Sequence, residues 1–371
     1  MRELRRLAAV LCLGVLTSLG ASAQILIGQT TSLTGAASAS ANEGLIGAKL
    51  WLDRVNATGG IGGRRIELIT LDDRSEPNRA VEHALRLIMV NRVTALFMTR
   101  GTAQAEALRP LLAQYEVPLV APSSGAMLLH KPVDPWIFNV RATYQREAEK
   151  LVQQLATVGM SRIALLHVAD AFGEDAKAGA LRGFEQARLQ PLFVETFDRN
   201  KPSFAAFVQK ARDADVQAVV FIGTPEAVAE GTRQLRAAGS RAQIGTLSNN
   251  ASAGFIKEMG SHAAGTIVTQ VFPNERAIAT PMVREAHELA RPAGIAELTP
   301  AMLEGFAAAK VLVEGLRRAG PVPTRQSLRQ ALDSLQRLDL GGLELGYGPG
   351  DHTGLDYTEM SIVSSDGRFR R

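Results

Sequence analysis

From Gln24 onward, short apolar runs rich in β-branched residues alternate with longer stretches in which apolar positions recur at helical spacing. Runs of the first kind suit strands buried on both faces and those of the second kind helices with one buried face, so the alternation predicts a parallel sheet covered by helices. Strands are expected at 25–30, 66–71, 95–98 and 117–121, with helices at about 43–57, 77–91 and 103–114 between them. The helix starting at Pro77 places Ala80, Val81, Ala84, Leu85 and Ile88 on one face, a stripe that needs a sheet to pack on.

The rhythm then restarts. A segment at 136–144 (WIFNVRATY) leads into an amphipathic helix whose Tyr144, Ala148, Leu151, Val152, Leu155 and Val158 share a face. Strands follow at 163–168, 192–196, 218–222 and 244–247, and another at 265–272. Two βα series of similar size imply two lobes, and because open α/β sheets bind ligands outside the carboxyl ends of their strands, a cleft between the lobes is the expected site. Three further helices, at about 280–291, 300–319 and 324–336, have no strands of their own and read as returns to the first lobe. A Gly-rich tail, 338–371, carries a strand-like stretch at 358–363.

The N-terminus adds an address. Arg2, Arg5 and Arg6 precede an apolar run from Leu7 to Leu19, followed by Ala21, Ser22 and Ala23, the three-part pattern of a cleavable signal peptide. That run is 13 residues, short of the ~20 a spanning helix needs. Cleavage is expected near Ala23, which would place the mature chain in the periplasm, with a retained anchor as the rival reading. The single cysteine, Cys12, lies inside the leader; a lipoprotein would cleave there, but Leu11 before it is too large. The mature chain then has no thiol for a disulfide, a thiolate metal site or a nucleophile. Losing the leader's three arginines and one glutamate lowers the formal charge from +4 to +2. With no basic run and few aromatics beside the arginines, nucleic-acid binding has no support.

The search for catalysis is negative. No G-x-S-x-G elbow, P-loop or H-E-x-x-H motif is present, the glycines of 59–63 read as a helix cap and turn, and the six histidines show no ligand spacing. His167 and Asp170 are near in sequence but have no nucleophile beside them. No catalytic residue, metal or cofactor is expected.

Eight stretches taken in order resemble one family: 27–36 (IGQTTSLTGA), 56–64 (NATGGIGGR), 71–74 (LDDR), 117–126 (VPLVAPSSGA), 138–144 (FNVRATY), 170–173 (DAFG), 268–272 (VTQVF) and 350–357 (GDHTGLDY). They are similar to the periplasmic solute-binding proteins of ABC transporters, in the branch of the leucine/isoleucine/valine-binding protein. The resemblance implies an α/β chain of two Rossmann-like lobes, the type I periplasmic-binding fold, joined by a three-crossover hinge near Arg141, Thr269 and Gly346. Residues 24–141 with 271–345 would form the N-terminal lobe, and 142–270 with 346–371 the C-terminal lobe. It further implies capture of a small molecule by lobe closure and delivery to an integral-membrane ABC permease. A sensing receptor without a transport role, using the same closure, is the alternative, and an exported α/β hydrolase a third class.

By the same resemblance a ligand carboxylate would be held in the first lobe by Gly101 and Thr102, at a helix N-terminus, and by Ser123, Ser124 and Gly125 after a strand. Helix N-termini offer unpaired N–H donors and the positive end of a dipole, and hydroxyls add donors without a countercharge; an ordinary N-cap and turn would also look like this. Phe172, Thr224, and Ser248 or Asn249 would contribute from the second lobe, and Tyr144 and Phe272 stand at crossovers where they either line the cleft or pack the core. No acid occupies a matched second-lobe position, so an amino acid, another carboxylate, an amide and an aromatic acid all remain open. Asp170 reads as a helix cap with an ammonium contact as the alternative, Glu226 as a first-turn acid, and Arg100 as a solvated strand-end residue with a carboxylate contact as the alternative.

Overall fold

The structure, a computed structural model, describes residues 24–35 and 37–371; the expected leader lies outside the described residues. Strands β1 (Ile25–Thr31), β2 (Ile66–Asp72), β3 (Ala95–Phe97), β4 (Leu119–Val120) and β5 (Ile137–Phe138) form an all-parallel sheet in the order β2-β1-β3-β4-β5. Helices α1 (Ser38–Ala57), α2 (Pro77–Met89) and α3 (Thr102–Tyr115) connect its strands. Of the strand-like segment at 136–144, only β5 pairs; the rest is extended chain leaving the sheet.

The second series repeats this plan. After α4 (Tyr144–Thr157) come β6 (Ile163–Val168), α5 (Ala171–Gln186), β7 (Val194–Phe197), α6 (Ala205–Asp213), β8 (Ala218–Ile222), α7 (Pro225–Ala237), β9 (Gln243–Thr246), α8 (Ala253–Met259) and β10 (Ile267–Gln270). Their order, β7-β6-β8-β9-β10, is the order of the first sheet over again, with every neighbour parallel. Central β6 and β8 are buried at every position while edge β7 is mostly not, as expected of a sheet with helices on both faces.

The remaining helices, α9 (Pro281–Ala290), α10 (Pro300–Arg318) and α11 (Arg325–Asp333), share one apolar core with the first sheet, as do Val271 and Phe272. A short hairpin of β11 (Leu338–Asp339) and β12 (Glu344–Leu345) follows, and then β13 (Glu359–Val363) and β14 (Phe369–Arg370) extend the second sheet in antiparallel fashion beyond β10. The third passage between lobes lies later than the expected Gly346. Tyr347 Oη donates to Asn139 O at 2.6 Å, His352 stacks on Phe138 at 4.2 Å, and Leu355 N donates to Val140 O. Residues 347–355 therefore cover the end of β5 in the first lobe, and the chain crosses only after Leu355. A Gly-rich stretch has no periodicity from which that packing could be read.

Helix α10 is buried almost all round because it crosses α1 at backbone contact. A Cβ built on Gly47 would lie 1.8 Å from Met302 O, and one on Gly305 1.8 Å from Gly44 O. Gly47→Ala should therefore force the two helices apart and cost about 1–3 kcal/mol, read as a lower midpoint in urea unfolding with an unchanged slope.

Candidate ligand-binding site

The loops after β1, β2, β3 and β4 of one lobe and after β6, β7, β8 and β9 of the other face a single cavity of about 350 Å³. Both sheets thus present their carboxyl ends to the same space, including the switch points β1/β3 and β6/β8 where strand order reverses. From the first lobe come Ser32, Ser75, Arg100, Gly101, Thr102, Gln104 and Ser123; from the second, Tyr144, Asp170, Phe172, Asp198, Arg199, Thr224 and Asn249. The N-termini of α3, α5 and α7 all open here, so three positive dipole ends converge.

Local chemistry positions these groups. Gly101 precedes α3 with φ of +99°, a conformation open to glycine, and this turns the chain sharply between Arg100 and the helix. Thr102 and Ser124 share a hydroxyl–hydroxyl hydrogen bond of 2.9 Å. Tyr144 and Phe172 meet edge to face, centroids 4.7 Å apart, as an aromatic wall. Thr224 caps α7, its hydroxyl accepting from Ala227 N, and Asp170 caps α5, accepting from Gly173 N and from Arg199 Nε at 2.6 Å.

The two lobes also touch beside the cavity. Glu43 of α1 accepts from Ala253 N and Gly254 N at the start of α8; burial pushes its carboxyl pKa up, opposed by these bonds. Ala301 N donates to Ala251 O, and Met127 N to Asp175 Oδ1.

The sequence model for periplasmic binding proteins matches residues 24–367. The chain belongs to the periplasmic binding protein family. Among its relatives, Leu/Ile/Val-binding protein homolog 3 of Brucella melitensis is 24% identical over 319 residues, 84% of each chain. A structure described as a substrate-binding periplasmic protein from Ralstonia solanacearum is 33% identical, covering 93% of this chain and 99% of that one with a TM-score of 0.84. A possible leucine/isoleucine/valine-binding protein from Rhodopirellula baltica superposes at a TM-score of 0.88 over 95% and 98% of the chains with 24% identity, a likeness of fold. Among the described residues, no helix of this family member is long and apolar enough to cross a membrane, and no cluster of His, Cys, Asp and Glu side chains is placed to hold a metal ion.

Of the residues singled out from sequence, Gly101, Thr102, Ser123, Tyr144, Phe172, Thr224 and Asn249 line the cavity. Ser124, Gly125 and Ser248 do not. Ser124 stands fully buried behind Thr102, and Gly125 serves close approach, since a Cβ there would lie 2.6 Å from Ala142 O in the departing crossover. Ser248 belongs to the hinge described below. Phe272 packs in the first-lobe core, away from the cavity, and His167 turns its Nδ1 to Val168 O and its Nε2 toward Glu174, not to Asp170. Arg100 departs most from expectation. It is only 8% exposed, and its guanidinium donates to Ser123 Oγ and across the cleft to Asn249 O, both at 3.0 Å. Ser32 and Ser75 were within or next to motif stretches but carried no assigned role; their places after β1 and β2 were the available signal.

Below the cavity lies a network that sequence reading missed. Arg141, in the first crossover, donates to Glu147 Oε1 and to Ser248 Oγ, with Glu304 Oε2 at 3.7 Å. Glu147 Oε2 accepts from Ser248 N and from Thr269 Oγ1 near the end of β10. Burial alone would pull the Arg141 pKa down, but Glu304 and Glu147 outweigh it and raise it above its ordinary value. Removing one partner of such a pair strands the other charge, so Arg141→Met should cost about 3–5 kcal/mol, measured by urea unfolding. His130, also buried, has neither ring nitrogen hydrogen-bonded, and burial, with Arg141's charge, pushes its pKa from 6.5 to about 4. The unfolded chain takes up this proton first as pH falls, so the stabilising contribution is complete above 6.5 and is lost on the way down to about 4. Native protein should lose about 2 kcal/mol more than His130→Leu between about pH 7 and about pH 5.

Proposed function

We propose that this protein is the extracytoplasmic substrate-binding component of an ABC importer. It captures a small carboxylate-bearing ligand, an amino acid or a related compound, in the interlobe cavity by hinge closure. On this reading the leader is cleaved near Ala23, the mature chain works in the periplasm without catalysing a reaction, and the closed form docks on an integral-membrane permease.

The observation that carries the reading is the cavity walled by strand ends of both lobes. A ligand shifts an open–closed equilibrium only through contacts it makes better in one state, and here Thr102 and Ser123 stand on one side with Phe172, Thr224 and Asn249 on the other. The hydroxyls and helix N-termini of the first lobe suit a carboxylate, and the aromatic wall suits an apolar side chain. The name of the Brucella melitensis relative, a Leu/Ile/Val-binding protein homolog, fits the same outline.

The test is a thermal-shift and calorimetric screen of amino acids, carboxylates, dicarboxylates, amides and aromatic acids on protein unfolded in guanidinium and refolded to strip bound ligand. A stoichiometric hit without turnover is expected. Thr102→Val with Ser123→Ala should weaken that hit at least roughly tenfold, the loss of one to two hydrogen bonds to a charged group. Phe172→Ala should weaken it while the circular dichroism spectrum is unchanged. Turnover of the hit, or unchanged affinity in both variants, would overturn the assignment.

A further inference from the structure

The geometry points to Arg100 as the residue that sets ligand charge: the ligand is an organic carboxylate without an α-ammonium group, paired with Arg100 at the cavity floor. This rests on the solute-binding reading above and narrows it.

Among the described residues, Arg100 is the one charged side chain buried in the cavity wall. The other buried lining residues, Ser32, Thr102, Gln104, Ser123, Tyr144, Phe172, Pro225 and Asn249, are uncharged. Among the described residues no carboxylate lies within 4.0 Å of the Arg100 guanidinium; Glu304 and Glu43 act on it only from farther away. Two of its five N–H donors are used, on Ser123 Oγ and Asn249 O, which leaves a fork able to take a carboxylate in two-point fashion. A cation so placed, with only neutral acceptors, is costly unless an anion joins it. The α3, α5 and α7 N-termini act in the same direction.

An ammonium group finds no matching place. Among the described residues the cavity wall has two carboxylates, half-buried Asp170 and exposed Asp198. Asp170 is committed to Gly173 N and Arg199, and exposed Asp198 holds its own turn by accepting from Asn200 N and Lys201 N. Asp73, behind the wall, is taken up by Thr30, Ser32 and Ser75. Glu304 accepts from Ser123 Oγ and faces Arg141. The unused Asn249 Oδ1 is buried and neutral. An α-amino acid would therefore bring a positive charge beside Arg100 with nothing to offset it, whereas the same skeleton without the amine brings only the charge the floor lacks. The wall of Tyr144 and Phe172 then receives a ring or a branched chain.

Calorimetry on stripped, refolded protein with two matched series tests this: 3-phenylpropanoate, 3-phenylpropanamide and phenylalanine, and 4-methylpentanoate, 4-methylpentanamide and leucine. In at least one series the acid should bind at least roughly tenfold more tightly than both its amide and its amino acid, a factor of ten being one desolvated charge interaction of modest strength. Arg100→Gln should bring the acid down to the level of the amide, and Arg100→Lys should restore part of the difference. The comparison within the unmodified protein needs no variant to fold. An amino acid bound more tightly than its acid, or an acid-to-amide ratio unchanged by Arg100→Gln, overturns the inference and leaves the solute-binding reading standing. Binding of none of the six, alongside no hit in the broader screen, counts against both.

Discussion

A guanidinium taken wholly out of water at the point where the chain first leaves one lobe for the other is the constraint on which this structure turns. Arg141 is 1% exposed and its partner Glu147 not at all. Such a pair is tolerated when other polar groups engage it, and here the engagement recruits both crossovers nearest to it, with Arg141 Nη1 left without a hydrogen bond 3.7 Å from Glu304. Glu147 takes Thr269 from the second crossover and the Ser248 backbone from the loop after β9, while Glu304 comes in from α10 of the first lobe. The lobes are thereby referred to one buried point.

The same network reaches the cavity. Arg141 lies over the Tyr144 ring at 4.6 Å, and Tyr144 forms cavity wall with Phe172. Glu304 accepts from Ser123 Oγ, which in turn accepts from Arg100. One hydroxyl so placed satisfies a carboxylate of the hinge and a guanidinium of the floor at once. The charge at the floor is thus tied, through Ser123, to the carboxylate that faces Arg141.

Repetition does the rest. Two sheets with the same 2-1-3-4-5 order, set with their carboxyl ends toward each other, bring eight strand-end loops to one space. The cavity is thus built from loops carried on strands such as β6 and β8, which are buried on both faces and, His167 apart, are apolar. The family match runs through 24–367, across both repeats, with 24% identity to the Brucella melitensis relative.

The hydrophobic pattern by itself determined the α/β class, the restart of the βα series and the existence of the helices that return to the first lobe, because each depends on local periodicity. Thr102, Ser123, Phe172 and Thr224 were marked by resemblance to the family, at strand-to-helix junctions that are also recognisable in sequence. What only the tertiary structure decided depends on groups distant in the chain. Arg100, read as a solvated strand end, is buried because Asn249, 149 positions away, closes over it. Gly125, two positions after the lining residue Ser123, and Ser248, next to Asn249, face the crossover and the hinge. The third crossing falls after Leu355 because Tyr347 and His352 find Asn139 and Phe138. No local pattern encodes whether a polar side chain meets water or a partner from the other lobe, because that is settled by desolvation once both lobes are packed.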